Sequence, residues 1–274
     1  DAPTGALHRA AVAQLGGALS ARISAVRDAI LEVEALLAYD IDFPMEDDGP
    51  VSRERITAAV DASTAAIDAL VATVPIARVA REGAVVVLAG APNTGKSSLF
   101  NALLGEQRAL VTDIAGTTRD AIDAVVDAEP YPWRVVDTAG WRETDDVLER
   151  LGIEVSAQWL ARADVVLLCG ASAAERAVVC GAIASRTSAA LVAVHTKADT
   201  SAADDDAVAV SAHTGVGLAA LRDAIGGALA ARYPMPSVPL VLQARQASAL
   251  AEAHAELRAF RDAWLADVIP ATVA

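Results

Sequence analysis

The sequence of 274 residues predicts an α/β domain that is inserted into a discontinuous α-helical domain. Amphipathic helical patterns occupy both ends of the chain. Between residues 82 and 232, short apolar runs of strand length alternate with helical patterns. Such alternation is typical of a layered α/β domain. We therefore expect residues 1–81 and 233–274 to form the helical domain and residues 82–232 to form the α/β domain.

The helical ends are predicted from apolar stripes that repeat every three or four residues. Prolines, a glycine and an acidic cluster at residues 43–50 predict a loop between the first two helices. The second helix is expected to end near Pro75. The three predicted stripes span residues 15–37, 56–74 and 250–268. Since each stripe must be buried, we expect these helices to pack together.

The strands of the α/β domain are predicted from short apolar runs. The first run, at residues 84–89, is continuous and β-branched, as in a strand buried on both faces of a parallel sheet. The other runs lie at residues 121–126, 133–136, 165–169, 191–194 and 208–210. Helical patterns begin near Lys96, Ile153, Glu175 and Leu218.

Composition limits the possible partners. With 22 Lys and Arg against 36 Asp and Glu, the net charge is −14, which argues against direct binding of nucleic acid through phosphate contacts. No apolar run approaches the roughly 20 residues that span a bilayer, so we expect no membrane association and a cytoplasmic location. Cys169 and Cys180 fit no metal or redox spacing, and buried free thiols are expected.

Residues 90–97 have the phosphate-loop spacing G-x-x-x-x-G-K-S between a predicted strand and a predicted helix. Backbone N–H groups in such a loop surround phosphates, while Lys96 supplies positive charge and Ser97 a hydroxyl ligand for Mg²⁺. A glycine-rich turn without a ligand is the alternative, and the strand and helix on either side argue against it. The candidate nucleotide ligands are Asn93, Thr94, Gly95, Lys96, Ser97 and Ser98.

The identity of the base is predicted from Thr196-Lys197-Ala198-Asp199, which follows the run at 191–194. The Asp199 carboxylate can accept hydrogen bonds from guanine N1–H and the exocyclic amine, whereas adenine would leave a buried carboxylate unpaired. An ordinary loop is the alternative. Ser211 and Ala212 follow at a later strand end, where guanine-binding proteins place a backbone N–H against the base, and they favour GTP over ATP.

A nucleotide-sensing switch is predicted from two further segments. Asp137 and Gly140 form a D-x-x-G motif after the run at 133–136, in which Asp137 reaches Mg²⁺ through water and the Gly140 N–H meets the γ-phosphate. Within the polar stretch at residues 111–120, Thr118 could ligate Mg²⁺ only when a γ-phosphate is present. A turn hydroxyl is the alternative for this threonine.

The motifs, in this order, resemble those of TRAFAC-class GTPases. The chain is similar nearly residue for residue to the MnmE (TrmE) family of tRNA-modification GTPases in four segments, at residues 91–105, 112–120, 137–140 and 149–154. The resemblance extends from about Leu15 to Trp264. It implies a P-loop GTPase (G) domain inserted into a helical domain, hydrolysis of GTP to GDP, and a role in tRNA wobble-uridine modification. It further implies a GidA (MnmG)-like partner, indirect contact with tRNA, and transient dimerisation of G domains around K⁺.

The family resemblance also assigns residues. It implies that Asn93 binds a potassium ion, which takes the place of an arginine finger. The other implied K⁺ ligands are Thr112, Ile114 and Thr117. Thr117 is also implied to contact the nucleotide. Glu149 is implied to orient the attacking water indirectly, and a solvated helix-start carboxylate is the alternative. Trp141 occupies the place where Ras-type enzymes carry glutamine and cannot polarise water. The expected catalytic residues are Lys96, Gly140 and Glu149.

The sequence departs from the family at Thr196, where asparagine is usual, and at His213, where a basic residue is usual. The first change is expected to cost about 1 kcal/mol of nucleotide affinity. The family's N-terminal folate-binding domain and C-terminal C-x-G-K tail have no counterpart here, as expected of a piece of a longer protein or of a short form that keeps only the switch. Two other functions stay open: a GTP-dependent binding module of the Era-like type with little turnover, and an ATP-using phosphate-loop enzyme, which Asp199 disfavours.

Overall fold

The computed structural model describes residues 17–42, 51–105, 122–137, 157–201 and 206–266. These residues form two compact units. One is the unit Val79–Met235, and the other combines the helical residues before Val79 with those that follow Met235. The predicted loop at 43–50 and the predicted helix start at Ile153 lie outside the described ranges.

The α/β unit is built on a six-stranded sheet with the order β2-β3-β1-β4-β5-β6. All neighbouring strands are parallel except β2, which is antiparallel to β3. The strands are β1 (Ala84–Ala89), β2 (Ile122–Val126), β3 (Trp133–Asp137), β4 (Val165–Gly170), β5 (Ala190–Thr196) and β6 (Val208–Val210). The helices of both units are α1 (Ala18–Asp42), α2 (Arg53–Val71), α3 (Thr73–Glu82), α4 (Lys96–Gly105), α5 (Ala157–Arg162), α6 (Ala173–Ile183), α7 (Leu218–Arg232) and α8 (Ala244–Leu265). The predicted α/β class is therefore confirmed.

The central strand β1 is buried along its whole length, as its continuous apolar run predicts. Alternate residues of β1 join β4, α5 and α6 in one apolar cluster, because side chains two apart on a strand point to the same face. Its fully buried members include Val87, Val136, Leu160, Val166 and Ile183. β1 lies between β3 and β4, so the loop that follows it emerges from the middle of the sheet.

In the helical unit, α2 packs against both α1 and α8. The shared core takes residues at helical spacing from all three helices: Leu19, Val26, Val33, Ile56, Val60, Ile67, Leu70, Leu250 and Leu257. Polar contacts accompany it. The indole Nε1 of Trp264 donates to Thr57 Oγ1 at 3.1 Å, and the Arg261 guanidinium donates to Asp61 at 2.5 Å. Ser52 caps α2 by accepting from the Arg55 N–H.

The expected helix end near Pro75 is wrong. α2 ends at Val71, and the chain continues directly into α3. Pro75 lies in the first turn of α3, where a missing N–H breaks no intrahelical hydrogen bond. The Thr73 hydroxyl supports the junction, since it donates to Leu70 O at 2.7 Å and accepts from the Val241 N–H at 3.0 Å.

By length and composition, the helical stretch Arg53–Glu82 is able to cross a membrane, and no second stretch among the described residues is. The sequence alone predicts no such stretch, because polar residues interrupt every apolar run. Burial on α2 is one-sided: Ile56, Val60 and Ile67 are buried, whereas Asp61 and Asp68 are exposed. Core helices of bundles pass the same test of length and composition, so it is a weak indication of a membrane span.

Candidate nucleotide-binding site

The predicted site segments follow strands that run in the same direction. β1, β3, β5 and β6 belong to the parallel part of the sheet, and their carboxyl ends therefore meet at one edge. Residues 90–97, 197–201 and 211–217 leave the sheet at this edge, and Asp137 ends β3 there. Ligands of open α/β sheets bind outside this edge.

The phosphate loop is tightly folded where it leaves β1. A Cβ on Gly90 would lie 2.4 Å from the carbonyl oxygen of Cys169, so only glycine fits against the end of β4. Asn93 and Gly95 have φ values of 61° and 89°, in the left-handed region that turns the chain back. The Thr94 hydroxyl donates to Ala91 O at 2.8 Å and closes the turn.

Lys96, the first residue of α4, is 3% exposed and points into this turn. Its ammonium donates to Ala91 O at 2.7 Å and to Gly90 O at 3.1 Å. The positive charge and the helix N-terminus therefore lie at the same point, which is the arrangement that attracts phosphate. The hydroxyl-bearing residues Ser97 and Ser98 follow in the first turn of α4 and are exposed.

Asp137 is buried at the end of β3, and its charge acts on Cys169 together with that of Lys96. Burial raises the pKa of the Cys169 thiol to about 12, Lys96 lowers it and Asp137 raises it. Both charges therefore lie close to this cysteine beneath the phosphate loop. The thiol stays protonated and unreactive at neutral pH. Cys169 and Cys180 are both free, and Cys180 is half-buried.

A cavity of about 200 Å³ connects the phosphate loop with the predicted base-recognition residues. Its walls come from three segments of the α/β unit. The residues that line it include Gly95, Ser98 and Leu99 at the start of α4, Thr196, Lys197 and Asp199 after β5, and Ala212 and His213 after β6. The fold thus brings together three motifs that are far apart in the sequence.

Asp199 is exposed at this cavity, which differs from the buried carboxylate that the sequence argument assumes. The pKa of Asp199 is lowered, chiefly because the Ser211 hydroxyl donates a hydrogen bond to its carboxylate, and its own backbone N–H and His213 contribute. The carboxylate is therefore ionised at neutral pH. A carboxylate has about four acceptor positions, so it can accept further hydrogen bonds from a ligand.

Ser211 contributes through its side chain. Its backbone N–H donates to Val216 O at 2.9 Å, so this group is already engaged within the loop. The Ser211 hydroxyl contacts Asp199 and also accepts from the Thr214 N–H at 3.2 Å. If a backbone N–H of this segment contacts the base, as the sequence predicts, the remaining candidate is that of Ala212, which lines the cavity.

Lys197 and Thr196 form the wall next to the phosphate loop. Lys197 has a φ of 58°, and its Cε lies 3.9 Å from the point that a Cβ on Gly95 would occupy. Its apolar stem therefore runs over the phosphate loop. Thr196 is 4% exposed, and its hydroxyl oxygen has no hydrogen-bond partner within the described part of the chain. Thr196 lines the cavity at the position where the sequence resemblance leads us to expect asparagine.

Several predicted residues lie outside the described ranges, namely Thr112, Ile114, Thr117, Thr118, Gly140, Trp141 and Glu149. The reasoning from sequence also missed His195, a buried residue of β5 that bonds to Ser201. The signal available for it was a polar residue at the end of the apolar run at 191–194.

The central strand, the phosphate loop and α4, within a sheet of this order, define the fold of the P-loop GTPase class. The family model of the MnmE helical domain matches residues 1–273, and the chain belongs to this family. The resemblance inferred from the motifs is thus confirmed.

Curated relatives match both the whole chain and its α/β part. The chain is 40% identical over 262 residues to the tRNA modification GTPase MnmE of Acidiphilium cryptum, and the match covers 94% of this chain and 58% of the relative. It is 50% identical over 159 residues to MnmE of Heliobacterium modesticaldum, and this match covers 58% of this chain and 34% of the relative. The chain therefore spans between a third and three fifths of the length of these relatives.

Among solved structures, the G domain of the T. maritima FeoB iron transporter is 25% identical to this chain. The match covers 53% of this chain and 98% of that chain, with a TM-score of 0.40.

Proposed function

We propose that this chain binds GTP and hydrolyses it to GDP and phosphate, with Mg²⁺ and K⁺, as a switch in tRNA wobble-uridine modification. One observation carries the proposal: a single cavity runs from the phosphate loop to the Asp199 carboxylate. The similar proteins are tRNA modification GTPases, which supports it.

In the proposed complex, the nucleotide phosphates lie in the loop that contains Asn93, Thr94, Gly95, Lys96, Ser97 and Ser98. Backbone N–H groups and the Lys96 ammonium bind them there. The base lies in the cavity, where Asp199 accepts from the Watson–Crick edge of guanine. The Lys197 stem covers one face of the ring, and Thr196 forms part of the wall next to it.

The donor set fits Mg²⁺, which prefers oxygen ligands and keeps several waters. Ser97 is exposed in the first turn of α4, directly after Lys96, and the buried Asp137 ends β3 at the same edge of the sheet. Within the described ranges no group of three or more His, Cys, Asp or Glu could hold a metal by itself, which fits an ion that depends on phosphate and water. A bound Mg²⁺ would neutralise charge on the phosphates. Thr118 is proposed to ligate the ion when a γ-phosphate is present, and the Gly140 N–H is proposed to meet the γ-phosphate.

Asn93 fits the proposed K⁺ site because its side-chain amide is exposed at the bend of the phosphate loop, where φ is 61°. An amide oxygen is a neutral ligand suited to a weakly hydrated monovalent cation. Thr112, Ile114 and Thr117 are proposed as the further K⁺ ligands. Potassium would supply positive charge between the β- and γ-phosphates, the role of an arginine finger in other GTPases.

The proposed partners follow from charge and family. With a net charge of −14, this chain contacts tRNA indirectly, through a basic partner of the GidA (MnmG) type. Two α/β units are proposed to dimerise transiently, and this contact orders the K⁺-binding loop.

The proposal predicts that K⁺ raises GTP turnover at least about tenfold over Na⁺, which corresponds to about 1.4 kcal/mol of transition-state stabilisation. Because dimerisation orders the loop, the stimulation should increase with protein concentration. Asn93→Ala should abolish the potassium effect and retain GTP binding through the backbone. Phosphate release in matched KCl and NaCl buffers measures both effects.

Equal turnover in the two salts contradicts the cation mechanism. Arg119, in the polar stretch at residues 111–120, is the nearest candidate for an arginine that supplies the charge instead. Full loss of activity in Arg119→Ala with none in Asn93→Ala would therefore also contradict the potassium mechanism. Tight GTP binding without turnover in either salt would instead favour the GTP-dependent binding module. Competition by ADP as strong as that by GDP would exclude guanine recognition altogether.

Glu149→Ala is expected to lower turnover about a hundredfold and leave the GTP dissociation constant within a few-fold of wild type. The reason is that Glu149 is proposed to orient the attacking water and not to hold the phosphates. Single-turnover hydrolysis and equilibrium binding measure the two quantities separately. Glu143→Ala, in the same acidic segment, is the control. An equal loss of binding and turnover would make Glu149 a structural residue.

A further inference from the structure

His195 is a buried polar residue next to the base-recognition motif. It lies on β5, is 1% exposed, and immediately precedes Thr196. Its ring Nε2 is 2.9 Å from the hydroxyl oxygen of Ser201, whereas Nδ1 has no hydrogen-bond partner within the described residues. Burial of an imidazole without a hydrogen bond is unfavourable, so the contact with Ser201 holds this ring in place.

The surrounding contacts indicate which atom donates. The Ser201 hydroxyl lies 3.3 Å from Lys197 O and donates to it, so its oxygen accepts from Nε2–H of His195. Nδ1 is then a buried lone pair. The other tautomer would bury an N–H without an acceptor, and orphaned buried N–H groups are the rarer and costlier case.

Ser201 closes the turn that carries Asp199. The carbonyl of Lys197 accepts from the Thr200 N–H at 2.9 Å, from the Thr200 hydroxyl at 3.0 Å and from the Ser201 hydroxyl. These bonds hold residues 197–201 in a compact turn with Asp199 at its centre. The Ser211 hydroxyl, in the loop after β6, also donates to the Asp199 carboxylate.

We propose that His195 and Ser201 are positioning residues for guanine specificity, because together they fix the turn that presents Asp199 to the base. This inference rests on the proposed function. Neither residue belongs to the cavity wall, so they act through Asp199 and not as ligands. The phosphates are held by a different loop, at residues 90–98. Loosening of the turn should therefore weaken recognition of the base and spare recognition of the phosphates.

Ser201→Ala tests the proposal without altering the buried core, since Ser201 is half-buried. Inosine diphosphate is the probe for comparison, because it differs from GDP only by loss of the exocyclic amine that Asp199 should bind. We expect the ratio of GDP affinity to inosine diphosphate affinity to fall about threefold to tenfold in Ser201→Ala, the range for one hydrogen bond. Titration calorimetry measures both affinities, and Ser201→Thr, which keeps a hydroxyl, should restore the ratio.

The histidine side of the contact is tested by His195→Gln and His195→Leu. Glutamine places an amide N–H near the position of Nε2 and should retain most of the ratio, whereas leucine should lose it. His195→Leu removes only the bond to Ser201, whereas Ser201→Ala also removes the bond to Lys197 O. Because His195 acts through Ser201, the double variant should have the same ratio as Ser201→Ala alone. In wild type, ¹⁵N chemical shifts of the His195 ring should report a proton on Nε2.

Two results would overturn the positioning role: a GDP to inosine diphosphate ratio that Ser201→Ala leaves unchanged, or equal weakening of both nucleotides, which would indicate general loosening of the fold. These outcomes differ from failure of the proposed function itself. Wild-type protein that binds ADP as tightly as GDP overturns the function, whatever the variants do.

Discussion

Asp199→Asn should weaken GTP binding about a thousandfold. The variant removes two charge-assisted hydrogen bonds to the guanine edge and sets an amide N–H against the N–H groups of the base. The isosteric change keeps the shape of the cavity. Fluorescence titration with a labelled guanine nucleotide measures the effect.

Xanthosine triphosphate supplies the reciprocal measurement. Its 2-oxo group accepts a hydrogen bond from an asparagine amide, so Asp199→Asn should bind it better relative to GTP than wild type does. Asp206→Asn is the matched control, because Asp206 is exposed before β6 and does not line the cavity. GTP affinity that is unchanged in Asp199→Asn would remove the basis for assigning guanine recognition to this chain.

The features that could be predicted from the sequence depend on local patterns. The run Ala84–Ala89 is apolar at every position because parallel strands are covered on both faces, and all six residues are buried. The phosphate loop was equally predictable, since its glycines and Lys96 stand at fixed spacing between a strand and a helix. In both cases a few consecutive residues contain the whole signal.

Features that depend on distant segments could not be predicted in the same way. The exposure of Asp199 and its bond to Ser211 arise where loops after β5 and β6 meet. The junction before the helix that contains Pro75 includes Thr73, whose hydroxyl accepts from the Val241 N–H far along the sequence. The antiparallel pairing of β2 with β3 is likewise absent from any local pattern, because both strands have the same apolar character.

Gly217→Ala should destabilise the α/β unit by about 4 kcal/mol, at the upper end of single-substitution effects. Gly217 is the N-cap of α7 and has a φ of 80°. This backbone conformation is unfavourable for any residue that carries a Cβ, even without steric contacts. A Cβ there would lie 1.8 Å from Ala209 O and 2.9 Å from Ala209 C. These are backbone atoms of β6, so no side-chain rotation can relieve the clash.

Relief of that clash requires movement of β6 or of the loop before α7. Ala209 is paired with His195 of β5, so a shift of the strand would disrupt the ladder next to Thr196. A shift of the loop would disturb the bond from the Ser211 N–H to Val216 O. Movement of either segment would displace base-recognition residues. We therefore expect Gly217→Ala to weaken guanine nucleotide binding as well as to lower the stability of the fold.

Gly227→Ala is the matched control within the same helix. Gly227 is exposed in α7, and a Cβ there would meet nothing within 4 Å. Alanine at a helical position should raise stability by about 0.5–1 kcal/mol, because glycine loses more backbone entropy on folding. Urea unfolding followed by circular dichroism should therefore give shifts of opposite sign for the two variants. Equal stability of Gly217→Ala and wild type would contradict the close approach of α7 to β6, since a Cβ cannot fit at 1.8 Å from a carbonyl oxygen.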